Sequence, residues 1–163
     1  MLYKEQAPKL FGLCMRYLQD RAEAEDALQE SFIKIFTSLH TYKRAGSFEG
    51  WCKRIAINTA LNLLKKKNTI RFERNLELIK NIEFSEEDTD EINIEEIMYC
   101  MKMLSDGYRT IINLYMVEEF SHKEIAEKLN ISESTSRSQY TRARQALMKL
   151  LKDRKETQAK RAE

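Results

Sequence analysis

The scarcity of helix-breaking residues constrains the fold of this chain more than any other feature of its sequence. Its 163 residues include one proline and four glycines. These two residue types most often end helices and shape the tight turns of β folds. Good helix formers such as Leu, Ala, Glu and Lys are abundant. The sequence therefore predicts an all-α protein, and its length allows one large domain or two small helical ones.

Charged residues fall into three blocks, although the net charge of the chain is only +2. Residues 42–67 include seven Lys or Arg and one Glu, whereas residues 83–96 include eight acidic residues and no basic one. Residues 137–161 include nine Lys or Arg and two acidic residues. Two basic blocks on either side of an acidic block indicate two surfaces that face a polyanion, with a solvated spacer between them.

Hydrophobic periodicity predicts two small helical domains. Asp20 and Ser47 are the predicted caps of the second and third helices. The three helices of the first domain are predicted at about 2–19, 21–39 and 48–67. The second of them buries a stripe at helical spacing, formed by Ala24, Ala27, Leu28, Ser31, Phe32, Ile35 and Leu39. The predicted parts of the chain are a helical bundle at 1–68, a flexible acidic linker at 69–92, a helix-turn-helix domain at 93–153 and a frayed polar tail at 154–163.

The second domain begins with a helix at about 93–103, followed by a break at 105–107 and a helix at 108–118. Ser121 and Glu124 then form a predicted capping box for a short apolar helix, in which His122 is an exposed first-turn residue. Asn130 suits a left-handed turn, and a long basic helix capped by Ser132 runs to about Asp153. A short helix, a tight turn and a longer basic helix predict a helix-turn-helix. The buried stripe predicted for the long helix is Ser136, Tyr140, Ala143, Leu147 and Leu150.

The exposed side of this long helix is the predicted surface for duplex DNA. Arginine can pair with guanine O6 and N7, serine and threonine can bond to base edges or phosphates, and further cations can contact phosphates. The candidates for groove contact are Ser134, Arg137, Ser138 and Thr141, and those for phosphate contact are Arg142, Arg144 and Lys149. The alternative is a solvated basic face on a helical hairpin.

The segment 42–67 is a candidate surface for single-stranded nucleic acid. Such strands stack on aromatic side chains and follow cationic grooves. The aromatic candidates are Tyr42, Phe48 and Trp51, and the interleaved cations are Lys43, Arg44, Lys53 and Arg54. Asn58 and Asn62 share a helix face with Trp51 and offer donors and acceptors to a base edge. The alternatives are that Phe48 and Trp51 belong mainly to the core and that the asparagines are ordinary surface residues.

Other classes of site find little support in the sequence. The cysteines Cys14, Cys52 and Cys100 are far apart, and neither a disulfide framework, a metal site nor a cofactor motif is predicted. No Gly-rich phosphate loop or nucleophile motif is present, so the chain is not predicted to be an enzyme. No signal peptide or membrane span is recognised, which predicts a soluble, cytoplasmic protein without membrane insertion.

Several long motifs, in the same order, resemble those of the extracytoplasmic-function (ECF) sigma factors of the sigma-70 family. Residues 24–32 (AEDALQESF) and 46–60 (GSFEGWCKRIAINTA) are similar to the sigma-2 domain, and residues 121–127 (SHKEIAE) and 134–144 (STSRSQYTRAR) to the sigma-4 domain. The resemblance covers about residues 2–151. Two departures are Leu104-Ser105, where Leu-Pro is usual, and Ser136, where an aliphatic residue is common in helix-turn-helix proteins.

The resemblance implies an alternative sigma factor that directs RNA polymerase to particular promoters. The face formed by Asp26, Gln29 and Glu30, otherwise an ordinary solvated face, would dock on core polymerase. Asn58, Asn62 and the preceding loop would capture a flipped base of the melted −10 strand. The helix around Arg137 would read the −35 duplex. Further expectations are sequestration by an anti-sigma factor and a monomeric state outside complexes.

Two other functions remain compatible with the sequence. The first is an ordinary helix-turn-helix repressor or activator, which would bind duplex DNA unaided and leave the segment from Trp51 to Asn58 without a role. The second is a helical adaptor that binds only proteins and tolerates loss of Arg137.

Overall fold

In a computed structural model of the chain, the described residues are 2–67, 70 and 93–162, and every regular element in them is helical. The chain divides into two compact units, one up to residue 70 and the other after it. The all-α prediction is confirmed for these residues, whereas the predicted acidic linker at 69–92 lies, apart from residue 70, outside them. None of the described helices is both long and apolar enough to cross a membrane.

Three helices form the first unit. They are α1 (Leu2–Leu18), α2 (Arg21–Ser38) and α3 (Phe48–Lys66), and each packs against the other two. Small residues such as Ala24, Ala27 and Ala60 are fully buried and allow the helices to approach closely. The predicted stripe on α2 is confirmed except for Leu39, which is 44% exposed. Leu39 opens a short 3-10 turn, Leu39–Thr41, so its side chain leaves the stripe of α2.

Side-chain caps set the starts of α2 and α3, as predicted. An Asp20 carboxylate oxygen accepts the Glu23 backbone N–H at 3.0 Å, and Ser47 Oγ accepts the Gly50 N–H at 2.9 Å. Each bond satisfies one of the unpaired donors in the first turn of a helix. The Glu23 side chain forms an ion pair with Lys67, which joins the start of α2 to the end of α3.

The described residues of the second unit form four α-helices. They are α4 (Ile94–Met103), α5 (Asp106–Ile112), α6 (His122–Leu129) and α7 (Glu133–Ala162). A wide π-helical turn, Asn113–Val117, continues α5. The predicted break at 105–107 is too long, because Ser105 Oγ caps α5 by accepting the Tyr108 N–H, which places Asp106 and Gly107 inside the helix.

The corner between α4 and α5 is held by a buried arginine. Arg109 is only 3% exposed, and one of its guanidinium nitrogens donates to the Leu104 carbonyl at 2.8 Å. Another pairs with the Asp106 carboxylate in the first turn of α5. The family that the sequence resembles usually has a proline at this corner. Here Ser105 caps the helix and Arg109 ties it to the carbonyl before the turn.

The last helix is longer than its sequence pattern predicts. The prediction that α7 ends near Asp153 and is followed by a frayed tail at 154–163 is wrong, because the helix continues to Ala162. No proline or glycine interrupts these residues. The Arg154 guanidinium lies 4.0 Å from the centroid of the Tyr99 ring, so a cation–π contact ties the extension to α4.

We expect Ser121→Ala to lower the free energy of unfolding of the second unit by about 1 kcal/mol, because it removes the side-chain half of an N-cap. The measurement is urea unfolding of the full chain, followed by far-UV circular dichroism and by fluorescence of Trp51, the single tryptophan, which reports on the first unit. Only the circular dichroism transition should shift. Ser138→Ala, at an exposed position inside α7, is the control, and an equal shift in that variant would contradict the prediction.

Candidate nucleic-acid interface

The hydrogen bonds of the helix caps confirm the predicted helix-turn-helix geometry of the second unit. Glu124 N–H donates to Ser121 Oγ at 3.3 Å, and Ser121 N–H donates to the Glu124 carboxylate at 2.9 Å, which completes the capping box. Asn130 is left-handed, with φ of 55°, and ends α6. Ser132 Oγ accepts the Thr135 N–H at 3.0 Å and caps α7. These bonds determine where α7 begins and therefore which of its residues face outward.

The two faces of α7 separate buried residues from the predicted DNA contacts. Buried along one face are Ser136, Gln139, Ala143, Leu147 and Leu151. Tyr140 and Leu150, predicted to be buried, are half-buried instead, because Gln139 and Leu151 occupy those places in the core. The exposed candidates are Ser134, Arg137, Ser138, Thr141, Arg144 and Lys149, whereas Arg142 is half-buried.

The exposed polar groups near the start of α7 bond within their own helix. Arg137 pairs with the Glu133 carboxylate one turn earlier, at 2.6 Å. Ser138 Oγ donates to the Thr135 carbonyl at 3.0 Å, and Thr141 Oγ1 donates to the Arg137 carbonyl at 3.1 Å. An exposed ion pair of this kind contributes little to stability, so a nucleic-acid phosphate or base edge can replace Glu133 as the partner of the guanidinium.

His122 is buried, and its prediction as an exposed residue is wrong. Its side chain is 8% exposed, and its ring stacks on Tyr115 with centroids 4.4 Å apart and planes 14° apart. His122 Nδ1 lies 3.0 Å from the hydroxyl of Ser136, which is fully buried on α7. Burial, and then the nearby Arg137 guanidinium, lower the pKa of His122 below its ordinary value of 6.5. The local sequence held no signal for this site, because its partners come from separate helices.

In the first unit, three half-buried rings form a cluster before and within the first turn of α3. The ring centroids of Tyr42, Phe48 and Trp51 lie 5.2 to 5.6 Å apart. Tyr42 Oη donates to the Gly46 carbonyl at 2.7 Å. Gly46 has a φ of 113°, a backbone angle that residues other than glycine rarely adopt. Neither Phe48 nor Trp51 is fully buried, so the rings both brace the loop and leave surface open to solvent.

Three of the cations around this cluster are exposed, and a fourth, Lys53, is paired with a carboxylate. Lys43, Arg44 and Arg54 are exposed. Lys53 Nζ lies 3.3 Å from one carboxylate oxygen of Glu49, and Lys9 Nζ lies 2.8 Å from the other. The hydrogen bonds from Lys9 and then Lys53 hold the pKa of Glu49 below its ordinary value. Glu49 therefore remains a carboxylate at neutral pH and neutralises part of the basic surface.

A cleft of about 300 Å³ lies between α2 and α3, beside this basic segment. Its lining residues are Lys34, Thr37 and Ser38 from α2, and Ile55, Asn58 and Thr59 from α3. Lys34 Nζ bridges the cleft wall, 3.2 Å from Thr59 Oγ1 and 2.6 Å from a Glu30 oxygen. Asn58 and Asn62 are both exposed on α3, and Asn58 lines the cleft. The α2 side of the cleft was missed by the sequence analysis.

The predicted docking face on α2 continues into exposed apolar residues. Asp26 and Gln29 are exposed, and Glu30 is half-buried. Ile33 and Phe36 follow at helical spacing and are 64% and 54% exposed. Large apolar side chains on one exposed helix face, beside polar ones, are typical of a protein-binding surface. This apolar extension was also missed by the sequence analysis.

The three cysteines are free and buried. Burial raises the pKa of the Cys14 thiol to about 11, so this group stays protonated at neutral pH. No three metal-ligating side chains converge in the part of the chain that the structure describes. The side chains described at the two surfaces offer hydrogen bonds, aromatic rings and positive charge.

Comparison with known proteins gives matches for both units. The family model "Sigma-70 region 2" matches residues 2–70, and "Sigma-70, region 4" matches residues 94–147. The chain is 30% identical over 164 residues to the ECF RNA polymerase sigma factor SigW of Bacillus subtilis, covering 93% of this chain and 86% of the relative. It is 28% identical over 151 residues to the ECF RNA polymerase sigma factor SigE of Mycolicibacterium smegmatis, covering 90% of this chain but only 58% of that longer relative.

A solved structure with a similar fold is the sigma factor RpoE of Bartonella quintana, co-crystallised with the anti-sigma factor NepR. The TM-score is 0.58 at 20% sequence identity, and the match covers 92% of this chain and 94% of the other. This likeness supports the fold.

We expect Glu49→Gln to raise the affinity of the full chain for single-stranded DNA severalfold at low salt, because it releases Lys9 and Lys53. Fluorescence anisotropy with a labelled oligonucleotide measures the change. The difference should shrink as salt is added, since exposed charges are screened over about 8 Å at physiological ionic strength. Glu25→Gln, which removes the similar pair with Arg21 on α2, is the matched control. An equal gain in both variants would argue against a specific role of the segment 42–67.

Proposed function

The chain belongs to the ECF group of the sigma-70 family, and we propose that it divides the reading of one promoter between its two units. As an alternative sigma factor, it directs promoter-specific transcription by RNA polymerase. The observation that carries the proposal is the pairing of each matched region with its own exposed cationic surface, one around α3 and one on α7. The task is one of binding, and we propose no catalysed reaction for the chain.

The second unit would read the −35 element as duplex DNA. The first turns of α7 carry Arg137, Ser138 and Thr141 on one exposed face, which is the part of such a helix that enters the major groove. Arg137 would exchange Glu133 for a guanine edge, and Arg142, Arg144 and Lys149 would contact phosphates. Phosphate contacts set position and affinity, whereas the guanine contact adds sequence preference.

The first unit would hold the melted −10 strand. The rings of Phe48 and Trp51 offer stacking surfaces, and Lys53 and Arg54 lie on the same turns of α3 to contact the backbone. A flipped base would enter the cleft beside Asn58, where an amide, an ammonium and hydroxyl groups meet an apolar residue, Ile55. Asn62 would contact the strand one turn further on. A base taken out of the stack is recognised by such edge contacts.

The docking face of α2 would bind core RNA polymerase. Asp26, Gln29 and Glu30 provide the polar part, and Ile33 and Phe36 provide apolar area that would be buried on binding. Neither unit alone would hold a promoter firmly. Tethering both on one polymerase raises their effective concentration and enforces the spacing between the two elements.

An anti-sigma factor is a further proposed partner, because the structurally similar RpoE is bound by the anti-sigma factor NepR. We place the protein in the cytoplasm, where polymerase and promoters are found.

Run-off transcription with purified core polymerase on a genomic DNA library is the direct test. The chain should start transcription at a limited set of sites that share two conserved elements at constant spacing. A gel shift on the recovered promoters, with and without core polymerase, separates this function from that of an ordinary repressor. Tight binding by the chain alone, with no dependence on polymerase, would overturn the proposal.

Two substitutions test the division of labour between the units. Arg137→Ala should abolish the preference of the holoenzyme for the intact −35 element, since a good bidentate base contact contributes about 1–3 kcal/mol. Asn58→Ala should impair open-complex formation, measured by permanganate reactivity of the −10 region, while −35 binding is kept. If both substitutions reduce both measurements equally, the units do not divide the task as proposed.

A further inference from the structure

We propose that His122 and Ser136 form a buried bracket that positions the DNA-reading face of α7 on the second unit. The bracket is the hydrogen bond between His122 Nδ1 and Ser136 Oγ, 3.0 Å long, which joins the first turn of α6 to the first turns of α7. The inference rests on the proposed −35 role of α7 and names residues that would act through Arg137 without touching DNA.

The bracket can position the reading face because Ser136 is buried and is next to Arg137 in the sequence. Ser136 is fully buried, and His122 is 8% exposed. Ser136 immediately precedes Arg137, about 100° away around the axis of α7, and the first side chain is buried whereas the second is exposed. Any rotation of α7 that moved the guanidinium would therefore also move the serine hydroxyl away from the imidazole.

Two tyrosines hold the imidazole in place. Tyr115, from the π-helical turn, stacks on it at 4.4 Å, and Tyr140, from α7, lies 5.8 Å away. The two tyrosine rings also contact each other, with centroids 4.4 Å apart. Three segments thus meet around one side chain, so the orientation of the ring is determined before DNA arrives.

A polar bracket determines helix position more sharply than apolar contact does. The hydrophobic effect is non-directional, so apolar helices can slide or rotate at little cost while keeping their area buried. A hydrogen bond requires a limited distance and angle, and a buried polar atom left without its partner costs free energy. The native crossing of α6 and α7 is therefore favoured over nearby crossings that break the bond.

The surroundings of the imidazole, and its burial above all, favour the neutral form. Arg137 and Glu133 on α7 are the charged groups that act on it, and the Tyr115 and Tyr140 rings cover it. Burial and the charge of Arg137 both lower the pKa of His122, and the Glu133 carboxylate raises it by a smaller amount. Because the folded protein resists protonation that the unfolded chain accepts, this contribution to the stability of the second unit is complete above pH 6.5 and is lost as the pH falls through the lowered pKa of His122.

The test uses the holoenzyme and a promoter recovered by run-off transcription. The measured quantity is the ratio of affinities for the duplex with an intact −35 element and the same duplex with that element scrambled. It is measured at a temperature at which circular dichroism shows every variant folded. This ratio depends on the position of Arg137, whereas a residue that only added stability would leave it unchanged.

Ser136→Ala leaves the buried Nδ1 without its partner, so α7 can take crossings that move Arg137, and the ratio should fall severalfold, toward the value of Arg137→Ala. His122→Phe should lower the ratio less, because the ring stack is retained. The double variant should lose no more than Ser136→Ala alone, since residues in direct contact have non-additive effects. Between pH 7.5 and 5.5 the free energy of unfolding of the second unit should fall more in the wild type than in His122→Phe, because only the wild type carries the imidazole. The control is His40→Gln, at the other histidine, which lies in the first unit and should follow the wild-type profile.

Different results identify which part of the proposal fails. If both single variants keep the wild-type ratio and pH profile while Arg137→Ala loses the ratio, the bracket is wrong and the −35 role stands. If Arg137→Ala also keeps the ratio, the −35 role and the bracket fall together. Should His122→Phe not fold, Ser136→Ala decides, and an unchanged ratio in that variant overturns the bracket.

Discussion

Side-chain capping is the interaction on which the rest of this structure depends. With so few prolines and glycines, the chain depends on polar side chains to fix where its helices start. Asp20, Ser47, Asn93, Ser105, Ser121 and Ser132 each accept a backbone N–H in the first turn of the helix that follows. A helix displaced by one residue rotates every side chain by about 100°, since there are 3.6 residues per turn. The caps therefore determine which faces carry Asn58 and Arg137 outward.

Much of this could be predicted from the sequence, because caps and apolar spacing are local signals. The boundaries of α1, α2 and α3, the capping box at Ser121 and the exposed side of Arg137 were all predicted and are confirmed. The errors arose where burial or helix length depends on segments that are distant in the sequence. The burial of His122 depends on rings from two other segments, and the length of α7 depends on Tyr99 in α4. The choice of Leu151 over Leu150 follows from small drift of a helical stripe over many turns, which a short window cannot resolve.

Both proposed DNA-binding surfaces share an electrostatic arrangement. Arg137 is paired with Glu133, and Lys53 with Glu49, in each case four residues earlier on the same helix. A cation held in this way is already ordered on its helix, and it is partly neutralised until a stronger anion arrives. In the proposed complexes, phosphates and guanine edges would compete with the glutamates for these cations. The arrangement favours binding where several contacts form together, which suits a protein that must discriminate among many DNA sequences.

The π-helical turn at Asn113–Val117 has a consequence for how this protein tolerates changes in length. A π turn accommodates one more residue than an α turn and is a common result of a single-residue insertion in a helix. Deleting one residue there would restore regular winding and swing Tyr115 about a quarter-turn around the helix axis, away from the imidazole. A change of one codon outside α7 would thereby alter the support beneath the helix that we propose reads DNA.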